Sequence, residues 1–290
     1  MDYTQATSRC WLEVDLNAIE WNYDSARRIC GEGVQLIPVL KANAYGLGAA
    51  KLSQVLSAKG ATLFAVATLE EALELGNACG RDVLVLGMIP EGSMEAAVRK
   101  GVIATAYSLD VARALDSAAA RVGVPARVHI KLDTGMHRLG LEPGEAVQAI
   151  QAIYQLQNLR VEGLFTHLAL RTVEADAAQM ACFRAVRDAL AAAGIDCGLM
   201  HAADSIGMVR YPNYRLDAVR PGAWLYGMVP SRFDNSKGDC KMALRLMTRV
   251  VQLHRAGAGE YVGYDETHPL KRDSVIATLS AGYEIGRAHV

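Results

Sequence analysis

A lysine closes an uncharged, branched-chain run from Val34 to Leu40, and Asn43, Tyr45, Gly46 and Gly48 follow directly behind it. Lysine in such a place suits attack on a carbonyl, because partial desolvation disfavours the ammonium and frees the amine. Tyr45 adds a hydroxyl, and the two glycines let backbone pass close to a ligand. Four more segments carry chemistry behind apolar runs. Lys131-Leu132-Asp133-Thr134-Gly135-Met136-His137-Arg138 brings both charge signs together, as an ion-pair cluster in a loop or as part of a site. Thr166-His167 offers a ring that is either a ligand contact or a satisfied core group. His201-Ala202-Ala203-Asp204-Ser205 has small side chains and a hydroxyl, which suits a phosphate and equally a helix cap. Arg220-Pro221-Gly222 follows, with Trp224-Leu225-Tyr226-Gly227 behind it.

These residues need elements to hold them, and the periodicity supplies a regular series. Trp11–Leu16 alternates as a half-buried strand, and Asn17 caps a helix Ala18–Arg28. Buried strands are predicted at Val34–Leu40, Leu63–Ala67, Val83–Gly87, Val102–Tyr107, Ala126–Leu132, Val161–Leu164, near Gly198–His201 and at Leu216–Val219. Between them lie helices Ala49–Ala58, one opened by the capping box Thr68-Leu69-Glu70-Glu71 and ending near Gly80, Met94–Lys100, Val111–Arg121, Glu145–Leu156 and Ala175–Ala193. About eight β/α units in succession make a closed parallel barrel, which keeps its chemistry at the C-terminal strand ends. An open doubly wound sheet is disfavoured, because no GxGxxG follows the first strand and the loaded residues follow many strands. After Gly227 the pattern turns β-like, at Lys241–His254 and Val275–Ser280.

The 290 residues are 51% hydrophobic and 21% charged, with a formal net charge of −1. That balance excludes a nucleic-acid or anionic-membrane partner as the organising function. The six cysteines are scattered, with no metal-ligand spacing, so no metal site is expected and a reducing, cytoplasmic compartment is. No apolar run approaches a membrane span.

KANAYGLG, KLDTGMHRLG, FTH, HAADS and RPGAWLYG, in this order and spacing, resemble the alanine racemase family of pyridoxal-phosphate enzymes from about Trp11 to Tyr283. The resemblance implies a (β/α)8 TIM-type barrel over residues 17–235 and the start of a C-terminal β-rich domain over 236–290. An N-terminal strand within 1–16 would pair with that domain. It implies two-base interconversion of L-alanine and D-alanine, supplying D-alanine for peptidoglycan, in a homodimer with shared active sites. Lys41 would bind pyridoxal 5'-phosphate covalently and act as one base. Tyr283 would be the other, contributed to the neighbouring subunit. Tyr45, Ser205 and backbone near Gly222 would bind the phosphate. Arg138 would contact the cofactor's phenolic oxygen and the substrate carboxylate, and Lys131, often carbamylated in the family, would orient that arginine. His167 would lie beside the ring and Arg220 would face the pyridine nitrogen.

Two departures stand out. Asp204 replaces the family's usual asparagine, adding a negative charge at the phosphate turn. After Tyr283 the family pattern breaks off, and Glu284-Ile285-Gly286-Arg287-Ala288-His289-Val290 reads as foreign sequence joined to a gene fragment. A serine or broad-specificity racemase of the same fold, or a non-catalytic pyridoxal-phosphate barrel, are the competing readings.

Overall fold

A computed structural model describes residues 8–228, 240–264 and 266–282. The chain divides by contact into two units, Leu16–Ala243 and a second made of Met1–Asp15 with Leu244–Val290. The boundary expected at 235/236 lies outside the described residues.

In chain order, β1 (Cys10–Val14) is followed by α1 (Leu16–Cys30) and β2 (Gln35–Leu36). Helix α2 (Ala49–Ala58), β3 (Leu63–Val66), α3 (Leu69–Cys79), β4 (Asp82–Val85), α4 (Met94–Arg99) and β5 (Ala104–Ala106) continue the alternation. It runs on through α5 (Leu109–Val122), β6 (Ala126–Lys131), α6 (Pro143–Ile153), β7 (Leu159–Phe165) and α7 (Val173–Ala192). Strand β8 (Leu199–Asp204), α8 (Ser205–Arg210) and β9 (Ala218–Arg220) complete the larger unit.

Parallel ladders join the strands in the order β2-β9-β8-β7-β6-β5, and β3 pairs with β4. Single parallel bridges, Val39 to Ala65 and Leu84 to Ile103, connect these two sheets at both ends. The ring of β2 to β9 is therefore closed, a TIM-type barrel. The strand expected over Val34–Leu40 is divided between two neighbours. Ile37 and Val39 donate to Val219 and Pro221, Leu40 donates to Ala65, and Pro38, with no N–H of its own, accepts from Ala65. Helices α5 and α7 start two residues before the positions expected from periodicity. Their caps, Ser108 and Thr172, accept N–H bonds from Val111 and Ala175, the third residue of each helix, so the helix begins directly after its cap.

One side of the barrel interior is apolar, with Ile37, Val39, Leu63, Ala65, Leu84, Ile103 and Ala218 in one buried cluster. The strands β6 to β8 are different. Arg127, His129 and Lys131, two apart, lie on one face of β6 by the strand period. Arg127 donates to both oxygens of Asp82 on β4, at 2.7 Å each, and to both oxygens of Glu162 on β7, at 2.9 Å each. These bonds hold the Asp82 carboxyl below its ordinary range. Arg127→Met should lower stability by about 1 kcal/mol, because Asp82 is exposed and Glu162 keeps Arg160 at 3.0 Å, so only part of the charge pairing is lost. Lysine should recover little, since it lacks the planar fork. Urea midpoints measure this, and an unchanged midpoint would show that the staple contributes nothing.

The second unit is antiparallel. β1 pairs with β10 (Leu244–Thr248), placing Cys10 opposite Thr248, and β11 (Val250–Ala256) pairs with β12 (Ser274–Leu279). The β-like stretch expected over Lys241–His254 is thus split at Arg249 into two strands with different partners.

Candidate active site

The C-terminal ends of the barrel strands surround a cavity of about 460 Å³. Lys41, Tyr45, Lys131, Arg138, His167, Ser205, Arg220 and Gly222 all line it, so the structure brings together every expected site residue except one. Tyr283 lies outside the described residues.

Lys41 opens a single turn in which Ala42, Asn43, Ala44 and Tyr45 take φ of 51 to 58°. Left-handed backbone at residues with a Cβ costs about 1–2 kcal/mol each, so neighbours must hold it. The Lys41 side chain is exposed, which corrects the expected desolvation: the turn lifts it out of the strand end into an open mouth. The Asn43 carboxamide oxygen accepts the Ala49 N–H at 2.8 Å and caps α2, which glycine at the cap position cannot do.

Tyr45 packs its ring 5.0 Å from that of Tyr226. Burial, and then the charge of Asp204, raise its hydroxyl, so it remains a donor at neutral pH. A Cβ at Gly222 would stand 2.9 Å from the Tyr45 hydroxyl oxygen, so a side chain there would push that hydroxyl aside. The Ser205 oxygen accepts the N–H groups of Gly222 and Trp224, at 3.0 and 3.1 Å. Its own proton is therefore left for a ligand. Asp204 is the helix cap in this turn, accepting the N–H groups of Ile206 and Gly207. The extra charge expected there is largely satisfied within the turn.

The mixed-charge loop after β6 is not an ion-pair cluster. The Asp133 carboxylate accepts from the backbone N–H groups of Gly135, His137 and Arg138, at 3.0, 2.9 and 2.7 Å. Burial pushes that carboxyl up, but the three donors outweigh it and hold it near 2. Asp133 thus shapes the loop that presents Arg138. Lys131 is 4% exposed, and its amine is lowered to about 8 by burial first and then by the Arg220 charge.

Arg220 is 3% exposed and, among the described residues, has no carboxylate at ion-pair distance, although the more distant Asp204 charge favours its cation. Nη2 donates to the carbonyls of Thr166 and Ala202 at 2.8 and 2.9 Å, and lies 3.2 Å from His167 Nδ1. Nη1 lies 2.6 Å from His201 Nδ1, and His201 Nε2 lies 2.9 Å from His129 Nδ1. Arginine only donates, so each ring accepts on Nδ1 and carries its proton on Nε2. Burial lowers Arg220 to about 10, which leaves it charged at neutral pH. Phe165 stacks on His201, with centroids 4.7 Å apart. Burial, reinforced by Arg220 and at His129 first by Arg127, lowers His129 to about 4 and His167 to about 3, and takes His201 well below its ordinary value.

His129 and Phe165 were not among the residues expected at the site, and His201 was expected only as part of a turn. The signal for His129 was its spacing of two from Lys131 on one strand. Gly163 makes room for it: a Cβ there would stand 2.7 Å from His129 Nδ1.

These three histidines fix the sign of the acid response. Each binds a proton near pH 6.5 when unfolded but only at lower pH when folded. Their contribution is complete above pH 6.5 and is lost as pH falls toward 4, with a slope approaching about 1.4 kcal/mol per pH unit for each. Urea midpoints should therefore drop steeply between about pH 6.5 and about pH 4. A flat profile there would mean the rings are not neutral in the fold.

Comparison with known proteins agrees with this geometry. Residues 14–230 match the family model described as alanine racemase, N-terminal domain, and residues 243–288 match alanine racemase, C-terminal domain. The chain is 35% identical over 284 residues to an alanine racemase of Clostridium tetani, covering 95% of this chain and 73% of that one. It is 35% identical to that of Halothermothrix orenii, covering 97% and 75%. Among solved structures, alanine racemase of Clostridium difficile superposes with a TM-score of 0.85 at 29% identity, covering 94% of this chain and 73% of that one. A Bartonella henselae alanine racemase with covalently bound pyridoxal phosphate gives 0.81 at 28% identity, covering 96% and 77%.

Proposed function

The chain belongs to the alanine racemase family, whose reaction interconverts L-alanine and D-alanine, and from that premise we propose that its cavity holds pyridoxal 5'-phosphate linked to Lys41. The observation that carries this is the convergence on one cavity of an exposed lysine, two hydroxyl donors beside a glycine, and a buried arginine. The donors fit a phosphate: Tyr45 keeps its proton, Ser205 has its own to give, and Gly222 allows close approach. When bound, the cofactor supplies an electron-withdrawing ring that makes the α-proton of alanine removable.

The residues of the chain do the rest. Lys41 takes and returns that proton on one side, and a racemase needs a second base on the other. Tyr283 is proposed for that role, from the partner subunit of a homodimer. The exposed Leu246, Val251, Leu253 and Val275 of the second unit support association. Arg138 would bind the substrate carboxylate and His167 would lie beside the ring. Arg220, charged and held by neutral partners, would disfavour protonation of the ring nitrogen. The Lys131 amine, lowered to about 8, is available to carbon dioxide near neutral pH, and the resulting carbamate would give Arg138 an anionic partner. Racemisation that falls on removing bicarbonate and returns on adding it back is expected; indifference to bicarbonate would remove that role.

Reduction of the cofactor-loaded protein with borohydride, followed by peptide mapping, tests the site. The label is expected on Lys41, and sedimentation of the same sample should show two chains. A label on any other lysine overturns the assignment.

A further inference from the structure

Both neighbours of Lys41 are tied to one corner of the adjacent β/α unit. The Leu40 N–H donates to the carbonyl of Ala65 on β3 at 2.9 Å. The Ala42 N–H donates to Glu71 Oε1 at 2.6 Å. Glu71 is in the first turn of α3, and its other oxygen accepts the N–H groups of Ala67 and Thr68, at 2.8 and 3.3 Å. One carboxylate therefore bridges the β3–α3 corner and the first N–H of the left-handed turn.

We infer that Glu71 is a positioning residue for Lys41, its carboxylate holding the turn that aims the lysine into the cavity. The inference rests on the reading of Lys41 as the cofactor lysine. Four consecutive left-handed residues do not persist without external partners. A carboxylate suits the task because both of its oxygens accept, whereas a carboxamide would turn an N–H₂ group against Ala42 on one side or Ala67 on the other. The same side chain belongs to the capping box of α3, in which the Thr68 hydroxyl accepts the Glu71 N–H at 3.3 Å. Capping and positioning are therefore separable: Thr68 serves only the helix, whereas the Glu71 carboxylate serves the helix and the lysine turn.

The experiment compares full-length Glu71→Gln and Thr68→Ala with the parent. Each protein is mixed with pyridoxal 5'-phosphate, and the rate of borohydride-trappable linkage at Lys41 is followed beside the thermal midpoint. Glu71→Gln should form the linkage at least about tenfold more slowly, the scale of losing a charge-assisted hydrogen bond. Thr68→Ala, with a comparable loss of thermal stability, should stay within about twofold of the parent. Glu71→Asp, too short to span Ala42 and Ala67 together, should behave as Glu71→Gln does, and it replaces that variant if the carboxamide does not fold. Linkage at the parental rate in the Glu71 variants, or an equal slowing in Thr68→Ala, overturns the inference. A parental label on a lysine other than Lys41 fails the site reading instead, so the two failures are distinguishable.

Discussion

Lys41→Ala should fold, bind no reducible cofactor and lose alanine racemisation by at least about 10²–10⁴-fold, the range of a positioned general base. Folding is expected to survive because the Lys41 side chain is exposed and its neighbours, not its amine, anchor the turn. The substitution removes two functions together, the covalent anchor and the proton acceptor on one side. Added methylamine separates them, since a small amine can link to the cofactor or carry a proton but cannot do so from a fixed position. Partial rescue of proton exchange without recovery of cofactor retention is the expected pattern. A variant that keeps a borohydride-reducible linkage and racemises at the parental rate would remove Lys41 from the mechanism.

Arg220→Glu should reduce racemisation by a comparable factor and raise the share of transamination. The guanidinium is buried, charged and surrounded by two carbonyls and neutral imidazoles. In its proposed place beside the ring nitrogen, such a cation would disfavour protonation there and moderate electron withdrawal. A carboxylate in its place favours that proton, as an opposite charge within a few ångströms does. It would also draw a proton to His201 or His167, whose low affinities depend in part on the Arg220 charge. The pH profile should shift with the partition between the two reactions. Arg220→Lys keeps the charge without the fork, so it should slow the enzyme and leave the partition near parental. If Arg220→Glu racemises more slowly with an unchanged partition, the residue acts through packing alone.

The barrel and much of its site could be read from the chain itself, for a physical reason. A strand buried on both faces is a short branched run, a helix carries its cap beside it, and in a parallel barrel each strand ends at the same mouth. Lys41, His167, Ser205 and Arg220 stand at or just after apolar runs, and Arg138 in the loop that follows β6, so local order along the chain was enough to group them. Three features depended on residues distant in sequence. The His129–His201–Arg220 line joins positions 72 and 19 residues apart, and no local pattern separates these histidines from ordinary core groups. Glu71 looked like a helix cap, which it is; only packing of α3 against the Lys41 turn placed Ala42 within reach of its second role. The pairing of β1 with β10 crosses more than two hundred residues; the family resemblance implied that the N-terminal strand joins the β domain, but the partner strand and register were set only by the fold. Periodicity and caps express the backbone's own preferences and are written locally. Partners for buried charge, and the support of strained backbone, are chosen by whatever the closed barrel brings alongside.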